Sequence, residues 1–334
     1  MSTQSRRTVI DTSRENARPE LADEAGNPCH AHVHDALIVG IVGDAARPLQ
    51  PGCPCWPETT SSNHVHPCGH RNVSPTDECE RSRLAADLPG ASARGEIVAF
   101  YQPQIDVATG SIVGVEALSR WFHPRLGLIS PDIFIPLAEA QGTIAEIGEH
   151  MLAIACEFGA AHGRRGAAID IAVNVSALQL LDSDFAALVL RTAAFHGLDP
   201  SHLTIEVTET EAVLNVASVG ERFDPLRVAG VTVSVDDFGT GQSSIEQLLS
   251  LQASELKIDQ SLVQNHAGNS YTLLAAVISF AHDKGLRVVA EGVETSGQLA
   301  AMTDFGCDRV QGYLTGRALP PREFNDFIAA WRAR

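Results

Sequence analysis

Eight short runs rich in β-branched and aliphatic residues recur between positions 97 and 313, and amphipathic stretches separate most of them. The runs are Ile97–Gln102, Ile112–Leu118, Ala168–Val175, Leu203–Thr208, Val231–Asp236, Glu255–Asp259, Arg287–Glu291 and Arg309–Tyr313. Between them lie helical patterns such as Phe185–Phe195, Tyr271–Asp283 and Gln298–Phe305. Strands alternating with helices place a mostly parallel sheet at the centre of the molecule. Over about 250 residues that rhythm predicts an α/β fold of the TIM-like (β/α)8 barrel type. A doubly wound open sheet is the competing arrangement, but no Gly-rich dinucleotide fingerprint follows the first run.

Polar residues stand at the ends of seven successive runs. Glu116 closes the second, Asn174 the third, Glu206 and Glu209 the fourth, Asp236 and Asp237 the fifth. Lys257 and Asp259 follow in the sixth, Glu291 and Glu294 at the seventh, and Gln311 in the eighth. Singly, each has a bland reading as a surface group, a helix cap or a rim hydrogen-bonder. In a barrel, however, these ends converge on one face, where active sites are built. So many carboxylates in one crevice cannot all ionise without cations. Oxygen donors of this kind suit hard Mg²⁺ or Mn²⁺, and the neighbours Asp236 and Asp237 could serve two ions. Two such ions are the usual device for displacement at phosphorus.

Composition divides the chain near residue 80. Residues 1–80 are rich in Pro, Cys and His, with little periodicity; residues 81–334 carry the alternating pattern. The N-terminal segment holds Cys29, His30, His32 and His34, then Cys53 and Cys55, then His64, His66, Cys68 and His70. The Cys-x-Cys and His-x-His spacings suit a shared cation or a redox role. They do not match the Cys-x-x-Cys pairs of common zinc folds, and a segment with so few apolar residues could equally lack fixed order. Cys156 and Cys307 read as core residues. His123, His162, His196 and His282 read as surface or loop residues with no partners. The net charge of −17 argues against non-specific binding of DNA or RNA, which needs a basic stripe. No apolar run reaches membrane-spanning length and the first residues lack the apolar core of a signal peptide, so a cytoplasmic location is expected.

From about residue 82 to 332 the sequence resembles the EAL domain, the cyclic di-GMP phosphodiesterase module of bacteria. The resemblance rests on YQPQID (Tyr101–Asp106), the tripeptide EAL at Glu116–Leu118 with Arg120 and Trp121, VNVS, IEVTET, DDFGTG, LKID, AEGVE and QGY. It implies a phosphodiesterase that converts cyclic di-GMP to linear pGpG with Mg²⁺ or Mn²⁺, two ions per site. It also implies that Glu116, Asn174, Glu206 and Asp236 ligate one ion, and that Asp236 bridges to a second held by Asp237. Lys257 would orient the attacking water. Glu291 would act either as general base or as support for the second ion. Glu209 would brace the loop carrying Asp237, and Gln311 would position water. Gln102, Leu118, Arg120 and Glu294 would contact the dinucleotide. A homodimer through this domain is implied as well. Gln242 stands where the family usually carries an aromatic residue, a departure that bears on regulation more than on chemistry. The alternative is a receptor that holds cyclic di-GMP without hydrolysing it and signals occupancy to a protein partner.

Overall fold

The computed structural model describes residues 21–22, 28–29, 78–208, 216–239, 252–264 and 270–333. Leu21–Ala22 and Pro28–Cys29 pair antiparallel. The other N-terminal Cys and His candidates, the side chain of Cys29, and Glu209 and Gln242 lie outside the described residues. Two compact units emerge. One comprises Met1–Ile97 with Arg120–Pro136, and the other Val98–Ser119 with Leu137–Arg334.

The larger unit is the predicted barrel. Its strands are β1 (Ile97–Asp106), β2 (Ile112–His123), β4 (Asp170–Asn174), β5 (Leu203–Thr208), β6 (Thr232–Phe238), β7 (Glu255–Ile258), β8 (Arg287–Ala290) and β9 (Arg309–Val310). The order around the sheet is β1-β9-β8-β7-β6-β5-β4-β2, and pairing of β1 with β2 closes the ring. One strand departs from a regular TIM barrel. β1 runs antiparallel to β9, with Arg309 opposite Asp106. A tight turn, Asp106 to Ser111, joins β1 directly to β2 with no helix between, so Ile97–Gln102 is only the first part of a longer strand.

Helices cover the outside of the ring. The longest, α3 (Ile144–Arg164), buries a stripe that includes Ile147, Met151, Ala155, Phe158 and His162. Tyr101 stacks on Phe158 with ring centroids 3.7 Å apart, and Phe324 packs beside both. Cys156 and Cys307 are buried as predicted, and burial pushes each thiol up to about 12, which leaves both unreactive. His162 is buried rather than on the surface, because it falls on the apolar stripe of α3 and its Nδ1 lies 3.0 Å from the Phe158 carbonyl. His282 is half exposed and pairs with Asp308 at 3.0 Å.

Gly159 marks the closest approach of α3 to the sheet. A Cβ there would lie 2.6 Å from Ile171 Cγ1 and 3.0 Å from Leu198 Cδ1. Helix propensity alone favours Ala over Gly by about 1 kcal/mol, but overpacking a filled core costs about 1–3 kcal/mol. Gly159→Ala should therefore lower stability, by about 1 kcal/mol, in a urea titration; a gain would mean that Ile171 yields freely.

The smaller unit has its own core, with Leu84, Leu88, Trp121, Ile129 and Phe134 buried. Helix α1 (Glu78–Asp87) supplies Leu84 and ends at Asp87. A three-residue strand, β3 (Gly127–Ile129), pairs antiparallel with the Trp121–His123 end of β2. Trp121 Nε1 donates to Glu96 at 3.1 Å. His123, expected on the surface, is buried instead. Its Nδ1 accepts from the backbone N–H groups of Arg125 and Leu126, so its proton sits on Nε2, 3.1 Å from Asp87. A local turn captures this histidine, and nothing in the sequence around it announces that.

Candidate active site

Side chains alternate across a strand, and in this barrel one alternating set is polar. β1 offers Gln102 and Gln104, β2 Glu116, β5 Glu206, β6 Ser234 and Asp236, β7 Glu255 and Lys257, and β9 Arg309, with Gln311 just past its end. The strand register places Asn174 beside Glu206, Glu206 beside Ser234 and Thr208 beside Asp236. The polar residues form two storeys. The lower one is neutralised by direct pairing: Arg309 meets Asp170 at 2.5 Å and Gln104 at 3.3 Å, and Arg287 meets Glu255 at 2.5 Å. Reasoning from strand ends alone missed this storey. Its signal is the two-residue step back from Gln311 to Arg309.

The upper storey is not neutralised in that way. Lys257, fully buried, lies 3.0 Å from Glu206, 3.0 Å from Asp236, 2.8 Å from Glu291 and 3.4 Å from Glu116. Four carboxylates thus surround one ammonium group. Asp237, next to Asp236, adds a fifth carboxylate; its N–H donates to Asp236 Oδ1 at 2.9 Å, and its backbone holds φ 60°. This left-handed Asp lies inside β6, where the register with β7 shifts between Val235 and Phe238, and bulges of this kind are common next to active sites.

Protonation follows the charge imbalance. Burial opposes the charge of Glu116, but Lys257 and hydrogen bonds from Gln311 and Asn174 outweigh it and hold that carboxyl below its ordinary value. The Gln311 and Asn174 amides each donate to Glu116 at 2.6 Å. Glu206 is pushed well up by burial and the Glu116 charge, and Asp236 is raised mainly by burial. Burial with the neighbouring Asp236 lifts Asp237 to about 6, and burial lifts Glu291 to about 8 despite Lys257. Burial opposes the Lys257 charge, but Asp236, Glu116 and Glu206 hold the ammonium group well above its usual range.

A pH dependence follows for the metal-free protein. An acid raised on folding contributes stability that is present below its unfolded value and lost as pH rises through its folded value. For Glu291 that window runs from 4.5 to about 8. With chelator present, the thermal midpoint should fall between pH 5 and pH 8, and Glu291→Gln should flatten the fall. A midpoint that rises over this range would contradict the assignment.

The donor set fits hard divalent ions. Glu116, Glu206 and Asp236 each present an oxygen within 4.8 Å of the others, and so do Asp236, Asp237 and Glu291. Asp236 belongs to both groups. Glu206 Oε1 is buried without a protein partner, an acceptor left open on the inner side. Carboxylate and amide oxygens of this kind match Mg²⁺ or Mn²⁺ rather than softer metals.

The predicted residues therefore divide into three sets. Glu116, Asn174, Glu206, Asp236, Lys257, Glu291 and Gln311 come together through direct contacts, with Asp237 adjoining. Gln102 joins them through Gln311, whose Nε2 lies 3.3 Å from Gln102 Oε1. Leu118 is half-buried two residues beyond Glu116, Glu294 is exposed in the segment after Glu291, and Arg120 lies in the smaller unit.

A closed barrel with a carboxylate-rich crevice at its strand ends defines the class of protein. Residues 85–318 match the EAL domain, and the chain belongs to the EAL domain family. It is 40% identical over 253 residues to the bifunctional diguanylate cyclase/cyclic di-GMP phosphodiesterase MucR of Pseudomonas aeruginosa, covering 75% of this chain and 37% of that protein. It is 37% identical over 230 residues to the cyclic di-GMP phosphodiesterase PA2567 of the same species, covering 68% and 39%. The chain thus spans less than two fifths of the length of these relatives. The solved structure of the PaMucR phosphodiesterase in complex with c-di-GMP superposes with a TM-score of 0.69 at 40% identity, covering 72% of this chain and 99% of that one. The EAL domain of Mycobacterium smegmatis DcpA gives 0.60 at 30% identity, covering 71% and 97%.

Proposed function

We propose that the chain is a cyclic di-GMP phosphodiesterase that opens the cyclic dinucleotide to linear pGpG. The observation that carries this reading is the sharing of Asp236 between two carboxylate groups arranged around the buried Lys257. Glu116, Asn174, Glu206 and Asp236 would hold one Mg²⁺ or Mn²⁺, and Asp236 with Asp237, supported by Glu291, a second. When bound, these ions supply the charge and Lewis acidity that favour water attack at phosphorus.

The chain's own residues supply position and proton handling. Lys257 keeps its proton on Nζ and, between Glu206 and Glu291, is placed to hold the attacking water by hydrogen bonding. Glu291, 2.8 Å from Lys257 Nζ, would take a proton from that water where it does not support the second ion. The water oxygen bonds to phosphorus, the P–O3′ bond breaks, and the 3′ oxygen leaves as a hydroxyl, gaining a proton that balances the one the water gives up. Gln311 holds Glu116 in place through its 2.6 Å bond, and Gln102, Leu118 and Glu294 would line the path of the dinucleotide.

No described helix is long and apolar enough to cross a membrane, and a cytoplasmic homodimer is the working assembly. We place the catalytic module in residues 81–334 and treat residues 1–80 as a separate Cys/His-rich segment. Because α1 begins at Glu78, a truncation that tests this division should start there. The deciding experiment incubates the purified chain with cyclic di-GMP and Mg²⁺ or Mn²⁺ and separates the nucleotides. Conversion to pGpG that a chelator abolishes supports the reading. Nucleotide binding with no product would overturn it in favour of the receptor.

A further inference from the structure

The two carboxylate groups are not supported in the same way. Glu116, Glu206 and Asp236 stand on strands locked into the ring by their ladders. Asp237 and Glu291 do not share that support equally. Asp237 sits in a left-handed conformation inside β6, at the bulge where the β6–β7 register shifts, and Glu291 is one residue past the end of β8. Something else has to fix their separation.

That support is a five-residue helix, α7 (Gln260–Gln264), which follows β7 and the Lys257 strand end. Gly239, two residues after Asp237, has φ +110°, and a Cβ there would lie 2.2 Å from Leu262 Cδ1 and 2.8 Å from Leu262 Cγ. Gly292, the residue after Glu291, has φ +63°, and a Cβ there would lie 2.3 Å from Gln260 Cβ and 3.1 Å from its Cα. The Gln264 amide donates to the Gly292 carbonyl at 3.3 Å. At the base of the helix, the Asp259 N–H donates to the Phe238 carbonyl at 3.1 Å and the Glu291 N–H to the Ile258 carbonyl at 3.0 Å. Two glycines, each just after a carboxylate of the second group, thus let the backbone close on opposite parts of one short helix. Val263, fully buried, anchors that helix to the barrel.

We infer that α7 is a wedge that sets the spacing of Asp237 and Glu291, with Leu262 as a positioning residue for the second ion and not the first. The inference rests on the two-ion reading given above. Leu262 carries no donor that could ligate an ion. It acts by filling the space that Gly239 leaves, so a shorter side chain would let the Asp237 turn relax away from Glu291. Residues supporting metal ligands typically change affinity by about 10–100-fold when replaced, and an apolar contact acting through one arm of the site belongs near the lower figure.

The test is a Mn²⁺ titration of the full chain by calorimetry, with hydrogen exchange at Asp237–Gly239 and Glu291–Gly292 as a readout independent of turnover. The expected result is two classes of site in the wild type, with Leu262→Ala weakening only the weaker class, by about tenfold. Exchange should quicken at both glycine segments, and Leu262→Met, which refills the space, should restore both readouts. With cyclic di-GMP as substrate, kcat should fall while KM changes little. Equal weakening of both classes, or no change in either, would overturn the wedge and leave the two-ion reading standing. A wild-type chain that binds no Mn²⁺, or binds it unaffected by Asp236→Asn, would overturn both. Should Leu262→Ala not fold, Leu262→Val makes the same comparison with a smaller loss of volume.

Discussion

Replacing Lys257 by Met should abolish turnover and also destabilise the metal-free protein more than any other single change in the crevice. Met has similar length and no charge, so the substitution removes the ammonium group without opening a cavity. Four carboxylates that now meet that group at 2.8–3.4 Å would then face one another in a buried site. Breaking a buried charge arrangement by removing one partner costs about 3–5 kcal/mol, which corresponds to roughly 10 °C in the midpoint for a domain of this size. The size of the loss should depend on pH. Glu206, Asp236 and Glu291 are already raised with Lys257 present, and without it they should bind protons still more tightly. The deficit should therefore shrink as pH falls and the carboxyls take up protons, and be largest near pH 8. Added Mn²⁺ should recover part of it, since an ion that binds only the folded state stabilises by mass action. Thermal melts of both proteins at three pH values, with and without Mn²⁺, would show this. A variant as stable as wild type at pH 8 in chelator would mean that the carboxylates do not depend on Lys257 for charge.

How much of this could be read in advance differs from residue to residue. The strands were legible because runs such as Val231–Val235 are β-branched at all but Ser234, and the acids that follow mark where such runs meet the open face. Lys257 was legible as a member of the site because it stands at the end of the sixth run, in series with the polar residues that close its neighbours. What was not legible was its place at the centre of the charge, which depends on side chains from three other strands and from the segment just after β8. Strand ends were less certain. Arg309–Tyr313 shrinks to Arg309–Val310 because Gly312 at φ +158° lies against the Val293 backbone, where a Cβ would come within 2.3 Å of its N and O. His162 carried a usable signal, since it continues the four-residue spacing of Phe158 in a long helix. His123 carried none, because a turn two residues later captures it. Nor does the sequence announce that Asp237 turns left-handed. The glycines at 239 and 292 were visible, but their meaning depends on which helix closes on them.

Asp236→Asn should separate what the crevice does for stability from what it does for chemistry. The side chain keeps its volume and an oxygen that can accept the Asp237 N–H now donating at 2.9 Å. Lys257 keeps three carboxylate partners within 3.4 Å. The change removes one negative charge from a site that holds more acid than it can neutralise, and Asp236 is itself raised by burial, so its ionised form is held at a cost. The metal-free variant should therefore melt no lower than wild type at pH 8. Binding of Mn²⁺ should weaken at both classes of site at once, because Asp236 alone belongs to both carboxylate groups. Turnover should fall by about two to three orders of magnitude or more, the scale on which removal of one preorganised electrostatic group acts. The two observables thus move in opposite directions. A residue serving mainly to hold the barrel together would lower the melting point together with the rate. A melt lower by several degrees, or turnover within tenfold of wild type, would remove Asp236 from the centre of the site.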